Sequence, residues 1–272
     1  SKNIIPVEKC PNLSERINQI LPQVASLPWG CAGSCLITEC ENGIDISITS
    51  DVPYFTNEFR NAANLLPAIR ITWNGKVIKQ TEIPQIKFGD HIVEYPSGAF
   101  LQPSVIGADV LRELVITHTR GYTRIADLFC GLGTFTYPLA QNKNNTILSV
   151  DSSSLSTDGL KRAINRNQIH NVEVLNKNLF KYPLDASELK NIKALVIDPP
   201  RAGAHEQCIE ISKIPSADKP EKIVFISCNP KTFVYDAQVL IDSGYSFDKV
   251  TLVDQFVYSK HQELIALFTY NH

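Results

Sequence analysis

Hydrophobic and polar residues follow two different periods along the chain, and the change falls near residue 95. In the first part, apolar and polar residues alternate at period two, and asparagine–glycine pairs mark turns. The segments predicted to be strands are 33–40, 43–50 and 70–83. Apolar residues at helical spacing predict two helices, within 11–26 and 54–68, and Ser14 is the candidate N-cap of the first. We therefore predict a small antiparallel sheet with helices.

From about residue 104 onward, segments typical of strands alternate with segments typical of helices. The predicted strands are 123–129, 146–151, 171–176, 192–198, 222–227, 247–256 and 262–270. The predicted helices are 104–120, 134–141, 153–167, 204–214 and 230–244. This alternation predicts an α/β fold with a mostly parallel, Rossmann-like, doubly wound sheet. The last two strands have no helix between them, so one C-terminal strand should run antiparallel. The predicted domains are a small α+β domain, 1–95, and an α/β domain, 96–272.

Composition indicates a globular protein, with 43% hydrophobic and 20% charged residues. The longest apolar runs have the length of strands, so we expect no membrane span. Seven irregularly spaced cysteines fit the reducing cytoplasm better than a disulfide scaffold. A net charge of −2 does not by itself indicate a nucleic-acid-binding protein, although a local basic groove or a separate domain can supply phosphate contacts.

The chain has no methionine, where average usage predicts roughly five. It also begins at Ser1. We therefore expect that it is a fragment of a longer protein and that methionines are missing from its sequence.

A glycine turn ends the first strand of the α/β part, in the sequence DLFCGLGTF at 127–135. Gly131 and Gly133 allow a tight turn and the close approach of a ligand. Thr136 replaces the third glycine of a dinucleotide-binding turn, which favours a nucleoside cofactor without a pyrophosphate. Asp151 ends the next strand, where a carboxylate can accept both ribose hydroxyls. The alternative for Asp151 is an ordinary helix-capping aspartate.

Polar residues also follow the next strand ends. Asp198 precedes two prolines that stiffen a loop, and Arg201 in this loop can bind a phosphate or carboxylate. Cys228 follows the strand IVFIS, and its thiol can act as a nucleophile. A helix predicted to begin at Pro230 could stabilise the thiolate. The alternatives are a rigid turn with a surface arginine and a buried structural cysteine.

The final strand pair offers a candidate general base. Glu263 opens the last strand, and His261 lies two residues before it. His261 could orient a nearby group. The alternative for Glu263 alone is a solvated surface charge.

Four motifs, in this order, resemble those of the bacterial RNA uracil-C5 methyltransferases: DLFCGLGTF, DPPRAG, SCNPKTF and DQFVYSKHQE. The resemblance is strong over roughly residues 94–272 and looser before them. It implies a class I methyltransferase sheet and transfer of a methyl group from S-adenosylmethionine to C5 of a uridine in RNA.

The resemblance also implies roles for individual residues. The nucleophile falls on Cys228 and the general base on Glu263. The implied pocket for the cofactor and the target base contains Gln102, Phe129, Gly131, Gly133, Thr134, Asp151, Asn178 and Asp198. Family members often have asparagine or aspartate where this chain has Thr134, and valine–asparagine where it has Pro103 and Ser104.

The implied chemistry explains why these residue types are needed. Uracil C5 is a poor nucleophile, so the Cys228 thiolate adds at C6, and the activated C5 takes the methyl group. Glu263 then removes the C5 proton, and elimination frees the cysteine. The target nucleotide has to leave its stack, and Arg201 is predicted to hold its phosphate. The alternatives are a transfer-RNA uridine-C5 methyltransferase and a catalytically silent RNA-binding or assembly factor of the same fold.

Cys10 lies in the segment VEKCPNL. This segment is similar to the one that holds the fourth cysteine of a four-iron four-sulfur cluster in ribosomal-RNA members of the family. The resemblance implies that Cys10 is a cluster ligand whose partners precede Ser1, as does a small RNA-binding β-barrel. A structural cysteine is the alternative. This resemblance favours 23S ribosomal RNA as the substrate, and no obligate protein partner is implied.

Overall fold

The computed structural model describes residues 7–255, 257–259 and 262–272. The chain forms two compact units, Ser1–Ala99 and Phe100–His272. The helices are α1 Glu15–Ala25, α2 Asn57–Leu65, α3 Val105–His118, α4 Thr136–Ala140, α5 Ser154–Arg166, α6 His205–Lys213 and α7 Pro230–Asp242, with a short 3-10 helix at Ser216–Asp218. Within the described ranges, none of these helices is both long and apolar enough to span a membrane.

The strands of the first unit are β1 Gly33–Cys40, β2 Gly43–Ser50, β3 Arg70–Trp73, β4 Lys76–Gln80, β5 Gln85–Phe88 and β6 His91–Glu94. Those of the second unit are β7 Arg124–Leu128, β8 Thr146–Asp151, β9 Val172–Asn176, β10 Ala194–Ile197, β11 Lys222–Ser227, β12 Ser246–Val253 and β13 Glu263–Thr269.

The first unit is built on a four-stranded sheet in the order β1-β2-β3-β4. The hairpins β1–β2 and β3–β4 are antiparallel, as the sequence predicts. The expectation of an entirely antiparallel sheet is wrong for one pair, because β2 and β3 run parallel. Helix α2 lies between them in the chain, and a helical crossover returns the chain to the edge where β2 began. The small antiparallel hairpin β5–β6 was not predicted from periodicity.

An aromatic cluster fills the core of the first unit. The rings of Phe59 and Trp73 lie 5.1 Å apart between centroids, and those of Trp29 and Phe59 lie 5.3 Å apart. Within the sheet, Asp45 of β2 pairs with Arg70 of β3. Arg70 Nε donates to Asp45 Oδ1 at 2.5 Å, and both side chains are buried. Because Arg70 is the cation that compensates the Asp45 carboxylate, this pair constrains how β2 and β3 pack.

We expect Arg70→Met to lower the free energy of unfolding by about 3–5 kcal/mol, because it leaves the buried Asp45 carboxylate without its partner. Urea denaturation followed by circular dichroism measures this change. The matched control is Arg16→Met, since Arg16 pairs with Glu39 at 3.6 Å and its side chain is 57% exposed. Arg16→Met should lower the free energy of unfolding by less than about 1 kcal/mol. Equal effects of the two substitutions would contradict the structural importance of the buried pair.

The second unit contains a seven-stranded sheet in the order β12-β13-β11-β10-β7-β8-β9. Neighbouring strands from β9 to β11 run parallel, whereas β13 is antiparallel to both β11 and β12. This arrangement confirms the predicted fold class. All four residues of β10 are fully buried, which is typical of a parallel strand covered by helices on both faces.

The register of the sheet aligns the strand ends that matter for function. Leu128 pairs with Ile197, and Ile197 with Phe225, so β7, β10 and β11 end at the same edge. Because β13 runs in the opposite direction, it begins where β11 ends, with Leu264 opposite Ser227. One edge of the sheet therefore collects residues from distant parts of the chain.

Candidate active site

Five of the residues singled out from the sequence lie at this edge of the sheet. Phe129 follows β7, Asp151 ends β8, Asp198 follows β10, Cys228 follows β11 and Glu263 opens β13. In doubly wound sheets, ligands bind in the crevice outside the carboxyl ends of the strands. The edge is therefore the candidate active site.

The glycine turn after β7 depends on left-handed backbone conformations. Phe129, Gly131 and Gly133 have φ angles of 62°, 53° and 96°. A Cβ atom at Gly133 would lie 2.8 Å from Leu160 Cδ1 and 2.9 Å from a ring atom of Tyr137, whereas one at Gly131 would meet nothing within 4 Å. Gly133 is thus required both by conformation and by packing, and Gly131 by conformation alone. 

Thr136, which stands where a dinucleotide-binding turn has its third glycine, is fully buried. Its hydroxyl donates to Asp127 Oδ2 at 2.6 Å and lies 2.8 Å from Ser149 Oγ. Burial raises the pKa of Asp127 to about 7 despite this bond, and Asp127 Oδ1 has no partner among the described residues. Thr136 therefore ties the start of α4 to β7 and β8 through a buried polar cluster. Asp127 was missed from the sequence, where it reads as one polar residue in an apolar strand.

Asp151 holds the backbone of both loops beside it. Its Oδ2 accepts from Gly131 N at 3.0 Å, and its Oδ1 accepts from Ser153 N at 2.7 Å. An ionised carboxylate offers about four acceptor positions, so two remain for a ligand. The alternative of a helix-capping aspartate is wrong, because Ser153 is the N-cap of α5, and the free acceptor positions of Asp151 leave a ligand-binding role open to it.

Phe129 follows β7 and Asn178 follows β9, the two strands that flank β8, which ends in Asp151. The Phe129 ring packs against Phe180, with centroids 5.5 Å apart. Asn178 Oδ1 accepts from the backbone N–H groups of Phe180 and Lys181, at 3.0 and 3.3 Å. Because its oxygen is used in this turn, Asn178 can offer a ligand its amide N–H groups. Thr134 lies in the glycine turn and is partly buried.

The nucleophile candidate and the base candidate lie on neighbouring strands. Ser227 pairs with Leu264, so Cys228 and Glu263 are the next residues in the same register. Burial raises the pKa of Glu263 to about 7. Burial and the charges of Glu263 and Asp198 raise the pKa of the Cys228 thiol above its usual value. Burial, then the charges of Glu263 and Asp127, raise the pKa of Asp198 to about 8.

The surroundings of Cys228 oppose its ionisation. Helix α7 does begin at Pro230, but its first turn does not leave Cys228 with a lowered pKa. Burial and two carboxyl neighbours outweigh the favourable contributions of a backbone hydrogen bond and of Arg201. Ionisation of the Cys228 thiol is therefore less favourable here than for an ordinary cysteine.

The loop that carries Arg201 is fastened to the start of α7. Arg201 O accepts from Asn229 Nδ2 at 2.8 Å and from Thr232 Oγ1 at 3.3 Å. Ala204 N donates to the buried Asp236 Oδ2 at 2.8 Å. The Arg201 side chain itself is exposed. The motifs DPPRAG and SCNPKTF are thus one structural assembly, a relation that their separation in the sequence conceals.

Gln102 joins the crevice through Asp198. Its Nε2 donates to Asp198 Oδ2 at 3.2 Å, and its Oε1 accepts from Gln255 Nε2 at 3.1 Å. Gln255 was also missed from the sequence, although it lies in the motif DQFVYSKHQE. His261, predicted to orient a group here, lies outside the described residues.

Of the other cysteines, Cys130 lies at this edge, in the glycine turn after β7, where it is buried. Cys10 is partly buried, and its backbone N–H donates to Asn18 Oδ1 at 2.8 Å. The remaining cysteines are Cys31, Cys35, Cys40 and Cys208. In the described part of the chain, no three histidine, cysteine, aspartate or glutamate side chains cluster so that they could hold a metal ion.

The fold and the glycine turn define a class I methyltransferase. The chain belongs to the tRNA (Uracil-5-)-methyltransferase family, whose model matches residues 76–270. A crystal structure of Pyrococcus abyssi tRNA (uracil-54, C5)-methyltransferase in complex with S-adenosyl-L-homocysteine has the same fold, with a TM-score of 0.74 and 21% identity over 98% of this chain and 70% of that one.

Two relatives illustrate the similarity in sequence. An uncharacterized RNA methyltransferase of Caulobacter vibrioides is 35% identical over 99% of this chain and 67% of its own length. The 23S rRNA (uracil(1939)-C(5))-methyltransferase RlmD of Photobacterium profundum is 27% identical over 98% of this chain and 59% of its own length. The chain spans about two thirds of the length of the curated relatives it matches, such as the Agrobacterium fabrum protein, at 65%.

We expect Gly133→Ala to disrupt the turn more than Gly131→Ala. A left-handed conformation costs a residue with a Cβ about 1–2 kcal/mol, and at Gly133 the contacts with Leu160 and Tyr137 add to this cost. Urea denaturation and calorimetric titration with S-adenosyl-L-homocysteine measure stability and binding. Gly131→Ala serves as the matched control, with a free-energy loss near the conformational cost alone. Equal losses in both variants would show that packing behind Gly133 does not matter.

Proposed function

We propose that this chain carries out the transfer of a methyl group from S-adenosylmethionine to C5 of a uridine in 23S ribosomal RNA. The observation that carries the proposal is the placement of Cys228 and Glu263 at adjoining ends of β11 and β13. A nucleophilic thiol beside a carboxyl group suits addition to a pyrimidine followed by proton removal. Membership of a uracil-5-methyltransferase family supports it.

The residues at the edge fit S-adenosylmethionine. Asp151 has free acceptor positions for ribose hydroxyls, and the turn through Gly131 and Gly133 brings backbone close to a ligand. The Phe129 ring and the N–H groups of Asn178 suit an adenine ring and its nitrogen acceptors. When bound, this cofactor supplies an electrophilic methyl group. We assign Gln102, Thr134 and Asp198 to the same pocket.

In the proposed reaction, the Cys228 sulfur bonds to uracil C6, and the electron pair of the C5–C6 double bond moves to make C5 nucleophilic. After C5 has gained the methyl group, Glu263 takes the C5 proton. The electron pair of that C–H bond restores the C5–C6 double bond, and the Cys228 thiolate leaves. The proton released by the resting thiol passes to solvent, because Cys228 is partly exposed, and Glu263 is then still unprotonated for the later step.

The exposed Arg201 is proposed to hold a phosphate of the flipped nucleotide. Its loop is fastened through Arg201 O by Asn229 and Thr232, so the guanidinium is carried by a fixed backbone. A bidentate contact with phosphate then costs little ordering of the loop.

A transfer-RNA uridine is the second candidate substrate, because the family is described by its action on tRNA. The relative named for action on 23S rRNA favours the ribosomal substrate. Cys10 as a four-iron four-sulfur ligand stays a prediction, and it requires three further ligands from outside these residues. A cytoplasmic location is proposed because the seven irregularly spaced cysteines fit a reducing compartment. No obligate protein partner is proposed, since the family resemblance implies none.

We expect a covalent complex when the chain is incubated with S-adenosylmethionine and 23S rRNA transcripts that contain 5-fluorouridine. Fluorine at C5 cannot leave as a proton, so the enzyme stays bonded to C6. Denaturing gel electrophoresis detects the adduct, and transfer-RNA transcripts test the second candidate in parallel. Cys228→Ala should abolish the adduct, whereas Cys208→Ala, a change at a fully buried cysteine of α6, should retain it. Absence of an adduct with either RNA contradicts the proposal.

We expect the rate of methyl transfer to rise with pH through about 7, because Glu263 acts as a base only when deprotonated and its pKa is about 7. The rate should fall as pH decreases below this value and should not fall again near pH 8, since the thiolate of Cys228 also becomes more abundant. Single-turnover rates with tritiated S-adenosylmethionine measure the profile. In Glu263→Gln, the residual rate should lack the inflection near 7. An unchanged inflection in this variant would assign the base to another group.

A further inference from the structure

A relay of side-chain amides reaches the crevice from the end of β12. Gln255 lies two residues after this strand and is 8% exposed. Its Nε2 donates to Gln102 Oε1 at 3.1 Å, and Gln102 Nε2 donates in turn to Asp198 Oδ2 at 3.2 Å. These two hydrogen bonds therefore connect Gln255, after β12, with Gln102, before α3, and with Asp198, after β10.

The absence of a side chain at Gly107 in α3 leaves space for the Gln255 side chain. A Cβ atom there would lie 2.4 Å from Gln255 Cγ and 2.7 Å from its Oε1. Glycine is less favourable than alanine within a helix, so α3 loses stability to accommodate the Gln255 side chain. The position of Gln255 is thus supported by two separate elements of the fold.

The Gln255 amide is only partly satisfied by hydrogen bonds. Its Oε1 is buried and has no hydrogen-bond partner in the described part of the chain. A buried amide with an unpaired oxygen is less stable than an apolar side chain of the same size. What the amide does contribute is the hydrogen bond from its NH2 group to Gln102.

Asp198 cannot by itself fix the orientation of the Gln102 amide. Burial and the charges of Glu263 and Asp127 raise the pKa of Asp198, and the hydrogen bond from Gln102 lowers it. The resulting pKa is about 8. Near neutral pH the carboxyl group is largely protonated, so it can either donate to an amide oxygen or accept from an amide nitrogen. Gln255 Nε2 donates to Gln102 Oε1, and this leaves the Gln102 nitrogen to face Asp198.

We propose that Gln255 is a positioning residue that holds the Gln102 amide with its oxygen turned away from Asp198 and its N–H groups available to Asp198 and to a bound ligand. An oriented N–H donor selects a carbonyl acceptor. Uracil carries carbonyl groups at C2 and C4, whereas cytosine carries an amino group at C4. The consequence for substrate recognition rests on the proposed function; the orientation of Gln102 does not.

The direct test measures the pKa of Asp198 in the chain labelled with carbon-13 aspartate, with Asp198→Asn used to assign its signal. Gln255→Met keeps the volume and removes the donor. We expect the Asp198 pKa to rise in this variant, because the hydrogen bond from Gln102 lowers it and is no longer held in place. Gly107→Ala should give the same rise by displacing Gln255. The matched control is Gln238→Met, since Gln238 lies exposed on α7 and donates to Asp242.

The second readout is methyl transfer to 23S rRNA transcripts. We expect Gln255→Met and Gly107→Ala to lower kcat/KM for the RNA about tenfold, the effect of losing one buried hydrogen bond. Gln255→Met should unfold at a urea concentration close to that of the unmodified chain, because the hydrogen bond that it loses is offset by removal of the unpaired Gln255 oxygen.

Two outcomes overturn the proposal. One is an unchanged Asp198 pKa in both variants, whatever happens to activity. The other is a fall in activity that follows a fall in stability, which would make Gln255 a merely structural residue. If the unmodified chain transfers no methyl group, the proposed function fails, and the Asp198 titration still decides whether Gln255 orients Gln102.

Discussion

The antiparallel pairing of β13 with β11 is the constraint on which the candidate site depends. In a wholly parallel sheet, the next strand would end at this edge rather than begin there. The reversal brings Glu263, the first residue of β13, beside the register position of Cys228. A thiol and a carboxyl group are then held close together in a partly dehydrated place, where the charge of Glu263 makes ionisation of Cys228 less favourable and burial raises the pKa of Glu263. The order of the strands thus determines the acid–base properties of the site.

The loops around this pair are held by side chains that the reaction itself does not need. Asn229 and Thr232 from the start of α7 bind the backbone of the Arg201 loop, and Asp236 binds it again at Ala204. On the other side, Asp151 binds the glycine turn. Each loop is thus held by residues at the end of the neighbouring strand or just after it. The crevice is therefore a connected assembly, and a change in one motif should be felt in the next.

The sequence allowed much of the second unit to be predicted, because its strands are apolar on both faces and its strand ends are marked by glycine, proline and charged residues. The parallel pairing of β2 and β3 was not predictable, since local alternation does not encode the direction of a neighbour. Gln255 was missed because its role depends on Gln102, which lies more than a hundred residues away. The raised pKa of Cys228 was not predictable, because Glu263 and Asp198, which help to raise it, approach from other strands.

The neutral state of the resting thiol has a consequence for the chemical durability of the protein. Alkylating agents and peroxides attack thiolates far faster than thiols, so a partly exposed cysteine with a raised pKa is a poor target for them. The carboxyl neighbours that raise the pKa of Cys228 therefore also protect it from such reagents. Resistance to accidental modification thus comes from the same arrangement of charges and burial that forms the candidate site.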